Sequence, residues 1–459
     1  MLPHLLTPIP GPRSLALAEK LRRHESRNVT FFADDFPVFW QRADGVNVWD
    51  ADGNRFLDLT SAFGVSGLGH TNAAVRAALV AQSGELLHAM GDVHPTEVKA
   101  ELCARLSALT FERWGAGDGK TVLSSSGSDA VETALKTALL RTGKAGVIAF
   151  TGGYHGLGLG ALSAIGLPFF REPFRAQLKD FATLLPYPAE SGGVPGELRG
   201  QIEATIRAGG IGCILVEPVQ GRGGCVVPVR EFLPMLREVC DAHGVLLIAD
   251  EIYTGFNRTG ALFACEHFGV VPDIICLGKA LTGGFPLSAC VGRAEVMDAW
   301  PESSGEALHT STFLGNPLGC AMALASLKQH ADPALAAHVR ERGAKLKAAL
   351  AALRSGHIGE IRGLGLMFGV ELVDSSESLR LLASPLSANP GGFRYHRPAT
   401  ALALAIVKHA LRDGLLLLAD SPTSNVLSLT PPFTISDDEI ALTAARLQEY
   451  LTLLPGSIS

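Results

Sequence analysis

Two residues of this 459-residue chain, Asp250 and Lys279, have the types and surroundings for carbonyl chemistry. Lys279 stands among apolar and glycine residues (CLGKALTGG), where loss of solvent favours the neutral amine. A neutral lysine forms Schiff bases with carbonyl compounds. Asp250 supplies a carboxylate that can keep a heteroaromatic nitrogen protonated and so create an electron sink. Taken singly, either residue reads as an exposed strand-end acid or a solvated lysine; as a pair they match what pyridoxal phosphate (PLP) needs.

The elements that must position them are short apolar runs. Val245–Ala249 ends in Asp250-Glu251, Ile274–Leu277 ends in Gly278-Lys279, and Leu287–Val291 follows a Gly-Gly-Phe-Pro turn. Such runs, punctuated by Gly and Pro, read as buried parallel strands, whose ligands sit beyond the carboxyl ends. Upstream, a strand at Thr121–Leu123 runs through a Ser-Gly loop into a helix with apolar Val131, Leu135, Ala138 and Leu139. The start of that helix offers N–H groups and a positive dipole end to an anion, or is simply capped by Ser128. Beside the Asp250/Lys279 pair, a phosphate cradle is the preferred reading. Val147–Phe150 leads into TGGYHG, where Tyr154 is either a core aromatic or a stacking surface and His155 accompanies it. Cys213–Glu217 leads into EPVQGRGG. The alternation of strands and helices predicts an α/β fold with a mostly parallel sheet.

Composition narrows the classes. A hydrophobic content of 47% and a charged content of 18% describe a globular protein large enough for more than one domain. A net charge of −6 provides no basic field for nucleic acid or a membrane. Eight scattered cysteines without metal-ligand spacing suit reduced thiols in a cytoplasmic protein, and no metal site is expected. The N-terminus lacks the order of a signal peptide, and the uncharged run Ala307–Leu327 carries too many polar residues for a membrane span.

Residues 1–36 read as an arm with a helix at Leu15–His24, followed by a hairpin turning at Asp52-Gly53-Asn54 and the Gly-rich loop SAFGVSGLGH. Thr71–Leu87, Pro95–Leu109 and Thr400–Asp413 have helical period, and IRGLGLMFGVEL reads as a strand pair. Asp374–Pro398 reads as a loop whose cluster Arg394-Tyr395-His396-Arg397 faces either solvent or substrate, and Ser436 to Glu439 forms a capping box for a last helix.

The segments DEIYTGFNRTG, PDIICLGKALTGGFPLSA and HTSTFLGNPLG closely resemble the class III, or omega, aminotransferases, and the similarity runs in order from about Val38 to the C-terminus. The resemblance implies PLP-dependent transferase fold type I, like aspartate aminotransferase, with an arm and part of a small domain at 1–60, a large PLP-binding domain at 61–329 and the rest of the small domain at 330–459. It implies that Lys279 carries PLP as a Schiff base and acts as general acid/base, with Asp250 at the ring nitrogen. It assigns Ser126, Gly127 and Ser128 to the phosphate, Tyr154 and Ile252 to the two ring faces, and His155, Glu217 and Tyr253 to the cofactor's surroundings. Ser311 and Thr312 would reach the phosphate of a neighbouring subunit, making a homodimer with active sites at the interface. The implied reaction moves an amino group from an amine or amino acid to a keto acid, pyruvate or 2-oxoglutarate.

Three positions depart from better-known members. Tyr253 stands where many carry Gln, Arg222 where ornithine and gamma-aminobutyrate aminotransferases carry Glu, and Ser428 where those carry a carboxylate-binding Arg. Arg222 therefore becomes a candidate carboxylate receptor, or else pairs with a nearby acid or faces solvent. Phe63 replaces a Tyr of ornithine aminotransferase and is either an apolar wall for the donor or core packing. A racemase of the same family uses the same cofactor residues and stays open at this point. A dinucleotide-binding dehydrogenase does not, because no GxGxxG precedes a helix.

Overall fold

The computed structural model describes residues 1–30, 33–34, 36–190, 197–374 and 397–454. A helix over Pro12–His24 precedes the antiparallel strands β1 (Trp40–Asp44), β2 (Asn47–Asp50) and β3 (Arg55–Asp58). The expected turn forms because Asp50 Oδ1 accepts the N–H groups of Asp52 and Asn54 at 3.0 and 2.8 Å, and Gly53 takes a φ of +88°.

The central sheet has seven strands: β4 (Gly119–Ser124), β5 (Gly146–Phe150), β6 (Ala182–Leu185), β7 (Ile211–Val216), β8 (Leu246–Asp250), β9 (Ile274–Leu277) and β10 (Ser288–Arg293). Their spatial order is β4-β10-β9-β8-β7-β5-β6. All are parallel except β10, which runs against both of its neighbours. The expectation of a parallel strand at Leu287–Val291 is thus corrected. A parallel return needs a crossover of about a dozen residues or more, usually a helix, and residues 278–287 hold only a single tight turn at Lys279–Leu281.

Helix Gly127–Thr142 covers one face of the sheet. Its buried Ala130, Val131, Ala134 and Ala138 pack on Val147, Cys213, Cys276 and Cys290, small side chains that let helix and sheet approach closely. Its N-cap is Ser126, not Ser128: the Ser126 hydroxyl accepts the Asp129 N–H at 3.2 Å. The largest core, with Phe150, Phe232, Phe263 and Leu277, fills the other face. The uncharged run at 307–327 splits into an exposed loop and the helix Pro317–His330; among the described residues no helix is long and apolar enough to cross a membrane.

A third sheet is built from β11 (Ile358–Leu364), β12 (Met367–Leu372), β14 (Leu418–Asp420) and β15 (Val426–Leu429), while β13 (Leu415–Leu416) pairs in parallel with β3. Val46, Leu57 and Leu59 therefore share one core with Leu346, Val370, Ile406 and Leu447. The capping box of the last helix forms as expected at Ser436 and Glu439. Arg394, Tyr395 and His396 lie outside the described residues.

The two main cores meet at Arg258, which is 1% exposed. Its guanidinium donates to the carbonyls of Leu366 (3.1 Å) and Pro431 (2.7 Å) and to Ser61 Oγ (3.2 Å), and lies over the Phe433 ring. Burial pulls its pKa down to about 10. Replacing Arg258 by Met should strand these acceptors and lower stability by about 3 kcal/mol; a urea-denaturation midpoint equal to wild type would refute the role assigned to this contact.

Candidate active site

Except for the edge strand β6, every parallel strand of the central sheet delivers a candidate residue at its carboxyl end. β9 ends at Leu277, and after Gly278 the chain places Lys279 at a φ of +43°. Lysine takes this left-handed conformation at a cost of roughly 1 kcal/mol or more, and such strain clusters at functional sites. The amine lies 4.7 Å from the centre of the Tyr253 ring. Burial pushes Lys279 below the usual lysine range, and the Arg222 charge adds to this, while Asp250 and Glu217 oppose it.

Asp250 closes β8 and is buried. Its Oδ2 receives His155 Nδ1 at 2.8 Å and its Oδ1 accepts the Ile252 N–H at 3.1 Å. Burial works against a charged His155, but the Asp250 hydrogen bond and charge, helped by Glu217, outweigh it and hold the imidazole above its ordinary pKa. Glu217, after β7, accepts the N–H groups of Tyr154 (2.8 Å) and Gly221 (3.0 Å). Burial, with the nearby Asp250 charge, raises its carboxyl well above the glutamate range, against the pull of His155. Asp250, His155 and Glu217 thus form one buried cluster, and the half-buried Lys279 feels the charges of Asp250 and Glu217.

After β4, Gly127 and Ser128 open a helix whose first N–H groups have no acceptor within it. The Ser128 hydroxyl accepts the Gly158 N–H at 2.8 Å and so ties the loop carrying Tyr154 and His155 to this helix. Gly156 is required there, with φ +109° and no room for a side chain: a Cβ would stand 2.5 Å from Ser128 Cβ. Ile252 packs against the same helix start. A Cβ on Gly127 would lie 2.9 Å from Ile252 Cδ1, and one on Gly278 3.4 Å from its Cγ2. Tyr253 is held between glycines 64 and 221, and its hydroxyl lies 3.3 Å from Thr430 Oγ1. The ring face of Tyr253, not its hydroxyl, is thus what meets Lys279.

Arg222 follows β7. Its guanidinium carbon is 5.1 Å from the ring centres of both Tyr154 and Phe170, and its Nε is 4.0 Å from Asp420 Oδ1. Phe63 is 56% exposed and is not core packing. It belongs to a left-handed turn in which Ser61, Ala62 and Phe63 all have positive φ. The turn is fixed by Asp58, which accepts the N–H groups of Thr60 and Ala62, and by the Ser61 hydroxyl on the Thr430 carbonyl at 2.6 Å. Ser311 and Thr312 are exposed, in a segment anchored by Thr310 on Asp92 at 2.9 Å and by His309 on Asp129 of the helix start at 3.2 Å.

Residues 31–451 match the aminotransferase class-III family. The chain is a class III aminotransferase. It is 36% identical to a 4-aminobutyrate aminotransferase of Mycobacterium leprae, over 95% of each chain. It is likewise 36% identical to a 5-aminovalerate aminotransferase of Pseudomonas aeruginosa, over 90% of this chain and 93% of the other. Its structure resembles a PLP-bound amine transaminase from an uncultivated Pseudomonas species, with a TM-score of 0.82 and 31% identity, covering 95% of this chain and 99% of that one.

The aminotransferase depends on PLP, and its residues fit that cofactor. The open helix start, the lysine held below its usual range and the buried Asp250 suit a flat ring carrying an aldehyde, a basic nitrogen and a phosphate, and the bare backbone of Gly127 and Gly278 leaves Ile252 its place between them.

Two residues that bear on the site escaped the sequence reading. Asp420 is a single acid after an apolar run, and Phe170 is one of several aromatics in LPFFREPF. Glu251 was visible beside Asp250, but only the structure shows it turned away from the cluster, accepting from the Thr254 hydroxyl and from the N–H groups of Ala264 (3.0 Å) and Cys265 (2.7 Å). Burial raises its pKa to about 7 despite these bonds. The folded protein then holds this proton more tightly than the unfolded chain. The contribution is full below about 4.5 and is lost as pH rises through about 7. Melting temperatures from about pH 5 to about pH 8 should therefore fall less steeply in Glu251→Gln than in wild type; parallel curves would contradict this assignment.

Proposed function

We propose that this aminotransferase takes its amino group from an amine or amino acid and passes it to pyruvate or 2-oxoglutarate, with Lys279 and Asp250 as its catalytic residues. The observation that carries the assignment is the convergence of a partly buried lysine amine and a buried carboxylate at the carboxyl ends of the adjacent parallel strands β9 and β8, with an open helix start at the same edge of the sheet after β4. PLP, when bound, supplies an electron sink for the carbanion formed at the donor carbon. Lys279 would hold the cofactor, and its Nζ would take and return the proton at the donor carbon. Asp250 would face the ring nitrogen, with His155 keeping its charge in place and Glu217 bracing the loop that bears Tyr154. Ser126, Gly127 and Ser128 would hold the phosphate, and Tyr154 and Ile252 the two ring faces. Tyr253 limits where Nζ can move.

Arg222 is the proposed receptor for the acceptor's carboxylate, and Phe63 an apolar wall for the donor. The names of the relatives, 4-aminobutyrate and 5-aminovalerate aminotransferases, support substrates in which amine and carboxylate are well separated. The body at 61–329 would carry the cofactor, and residues 1–60 with 330–459 the smaller body that faces it.

A homodimer is supported by the exposed apolar face around Thr312. Leu87, Met90, Val93, Leu308 and Phe313 are each more than half exposed, and they lie together: Asn316 Nδ2 donates to the Leu87 carbonyl at 3.2 Å, and the His88 and Phe313 rings are 5.2 Å apart. In this arrangement Ser311 and Thr312 of one subunit complete the phosphate site of the other.

The enzyme mixed with a carboxylate-free amine and no keto acid should release about one equivalent of carbonyl product per active site. Exchange of an amino acid's α-hydrogen with loss of optical purity and no carbonyl product would point to racemization instead. Arg222→Ala should raise KM for pyruvate and 2-oxoglutarate by about 10- to 100-fold, as expected for loss of charge-assisted hydrogen bonds, and KM for the amine by less than about twofold; equal effects would remove Arg222 from the carboxylate site. Phe313→Asp should sediment as a monomer without transaminase activity, and an active monomer would refute the shared site.

A further inference from the structure

Lys279 keeps its left-handed φ of +43° only because both sides of it are fixed. On one side β9 ends at Leu277, which is paired with Ala289 of β10. On the other, Ala280 and Leu281 are buried. Within the turn the lysine's own bonds are long: its carbonyl accepts the N–H groups of Thr282 and Gly283 at 3.4 Å each. The firmer anchor comes from another element. Ser326, in the helix Pro317–His330, donates its hydroxyl to the Ala280 carbonyl at 3.0 Å. Other buried helical hydroxyls of this chain behave differently. Those of Thr137, Ser163 and Thr443 return to the carbonyl four residues earlier in their own helices, at 2.8, 2.8 and 2.7 Å. Ser326, equally buried, turns to the lysine's neighbour instead.

One helical turn further on, the same face carries His330, which is 2% exposed. Asn257 settles its tautomer. The Asn257 Nδ2 donates to the His330 carbonyl at 2.9 Å and lies 3.2 Å from Nδ1 of the ring. Nδ1 is therefore an acceptor, and the ring proton sits on Nε2. Nε2 closes no hydrogen bond of its own among the described residues, and the backbone group that the ring interacts with is that of Ala280. Burial, helped by the Arg258 charge, pulls the imidazole down to about 3, so above that pH it stays a neutral donor. Asn257 belongs to the loop that follows Asp250, so one ring stands between that loop and the turn of Lys279.

We propose that Ser326 and His330 are positioning residues for Lys279: by holding the Ala280 carbonyl from the helix that packs on the turn, they keep the lysine left-handed and so fix where Nζ can reach. Neither touches the reacting atoms, and each acts through the backbone of the turn. Without this hold the lysine relaxes toward the right-handed conformation that its Cβ prefers, and Nζ moves with it. Proton transfer is far more sensitive to such a displacement than substrate binding is. The inference rests on the reading of Lys279 as the residue that holds the cofactor.

The test uses holoenzyme, with butylamine as a carboxylate-free amine and pyruvate as acceptor. Ser326→Ala removes only the hydroxyl. His330→Phe keeps a ring beside Phe256 and Phe433, and His330→Gln returns an N–H donor to the place of Nε2. Thr443→Ala loses a helical hydroxyl bond of the other kind and serves as the control for a purely structural loss. The pH midpoint of the visible absorption band reports on Nζ, which feels Asp250, Glu217 and Arg222. In Ser326→Ala and in His330→Phe this midpoint should move by about half a pH unit or more. In both, kcat should fall by about tenfold or more while KM for butylamine and pyruvate changes by less than about threefold. His330→Gln should bring both readouts back toward wild type. Thr443→Ala should lower the urea midpoint and leave the band and kcat alone. A band midpoint or a kcat equal to wild type in Ser326→Ala would overturn the proposal, and so would the same spectral shift in Thr443→Ala. Should Ser326→Ala not accumulate as folded protein, His330→Phe against His330→Gln decides by the same two readouts. A wild-type protein with no visible band when supplied with PLP would instead refute the reading of Lys279 itself.

Discussion

A buried guanidinium that forms no ion pair among the described residues is the contact on which the two halves of this enzyme depend. Arg258 belongs to the loop that follows Asp250, so it is built into the central sheet's chemistry-bearing edge. Its acceptors come from elsewhere: the turn before Phe63, the β11–β12 connection and the segment after β15. A hydrophobic residue there would bring the same surfaces together but would not set their orientation. Carbonyls and a hydroxyl aimed at one planar cation accept few arrangements. The turn that bears Phe63 and the lysine thereby share one frame, although they sit on different cores.

That frame holds charges that oppose one another at short range. His155 offsets Asp250, Glu217 lies next to both, and Arg222 adds to the desolvation that keeps Lys279 below its usual range. Each depends on a strand end. Parallel strands finish with their backbone N–H groups and helix starts facing the same side, and β10 alone reverses without interrupting that edge. The site is thus a product of topology as much as of residue identity. The same lysine and aspartate on neighbouring antiparallel strands would emerge at opposite ends of the sheet.

How much of this was legible in the sequence follows from how local each feature is. Asp250 and Lys279 stood out because apolar runs stop abruptly at them, and strand limits there were read to within a residue or two. The family segments carried the fold. The direction of β10 was not legible, since a buried strand has the same composition either way, and loop length was the only hint. The cap at Ser126 was missed in favour of Ser128 because both serines suit the position and only the helix phase decides. Two- and three-residue strands such as β13 and β14 carry no period. The left-handed turn at Ser61, Ala62 and Phe63 contradicts the preferences of all three residues, and is imposed by Asp58, Thr430 and Arg258 from a distance. Asp420 and Arg222 meet only because two sheets come together.

The pairing of β3 with β13, Leu57 against Leu415, also sets an order of events during synthesis. Every strand of the central sheet lies between these two segments in the chain, so that sheet can close while the C-terminal residues are still on the ribosome. The apolar faces of Val46, Leu57 and Leu59 have no such option. They wait, uncovered, until Leu346, Ile406 and Leu447 have been made. The nascent chain therefore carries an unfinished hydrophobic surface at its beginning for most of its translation, where chaperones would have the longest time to bind it.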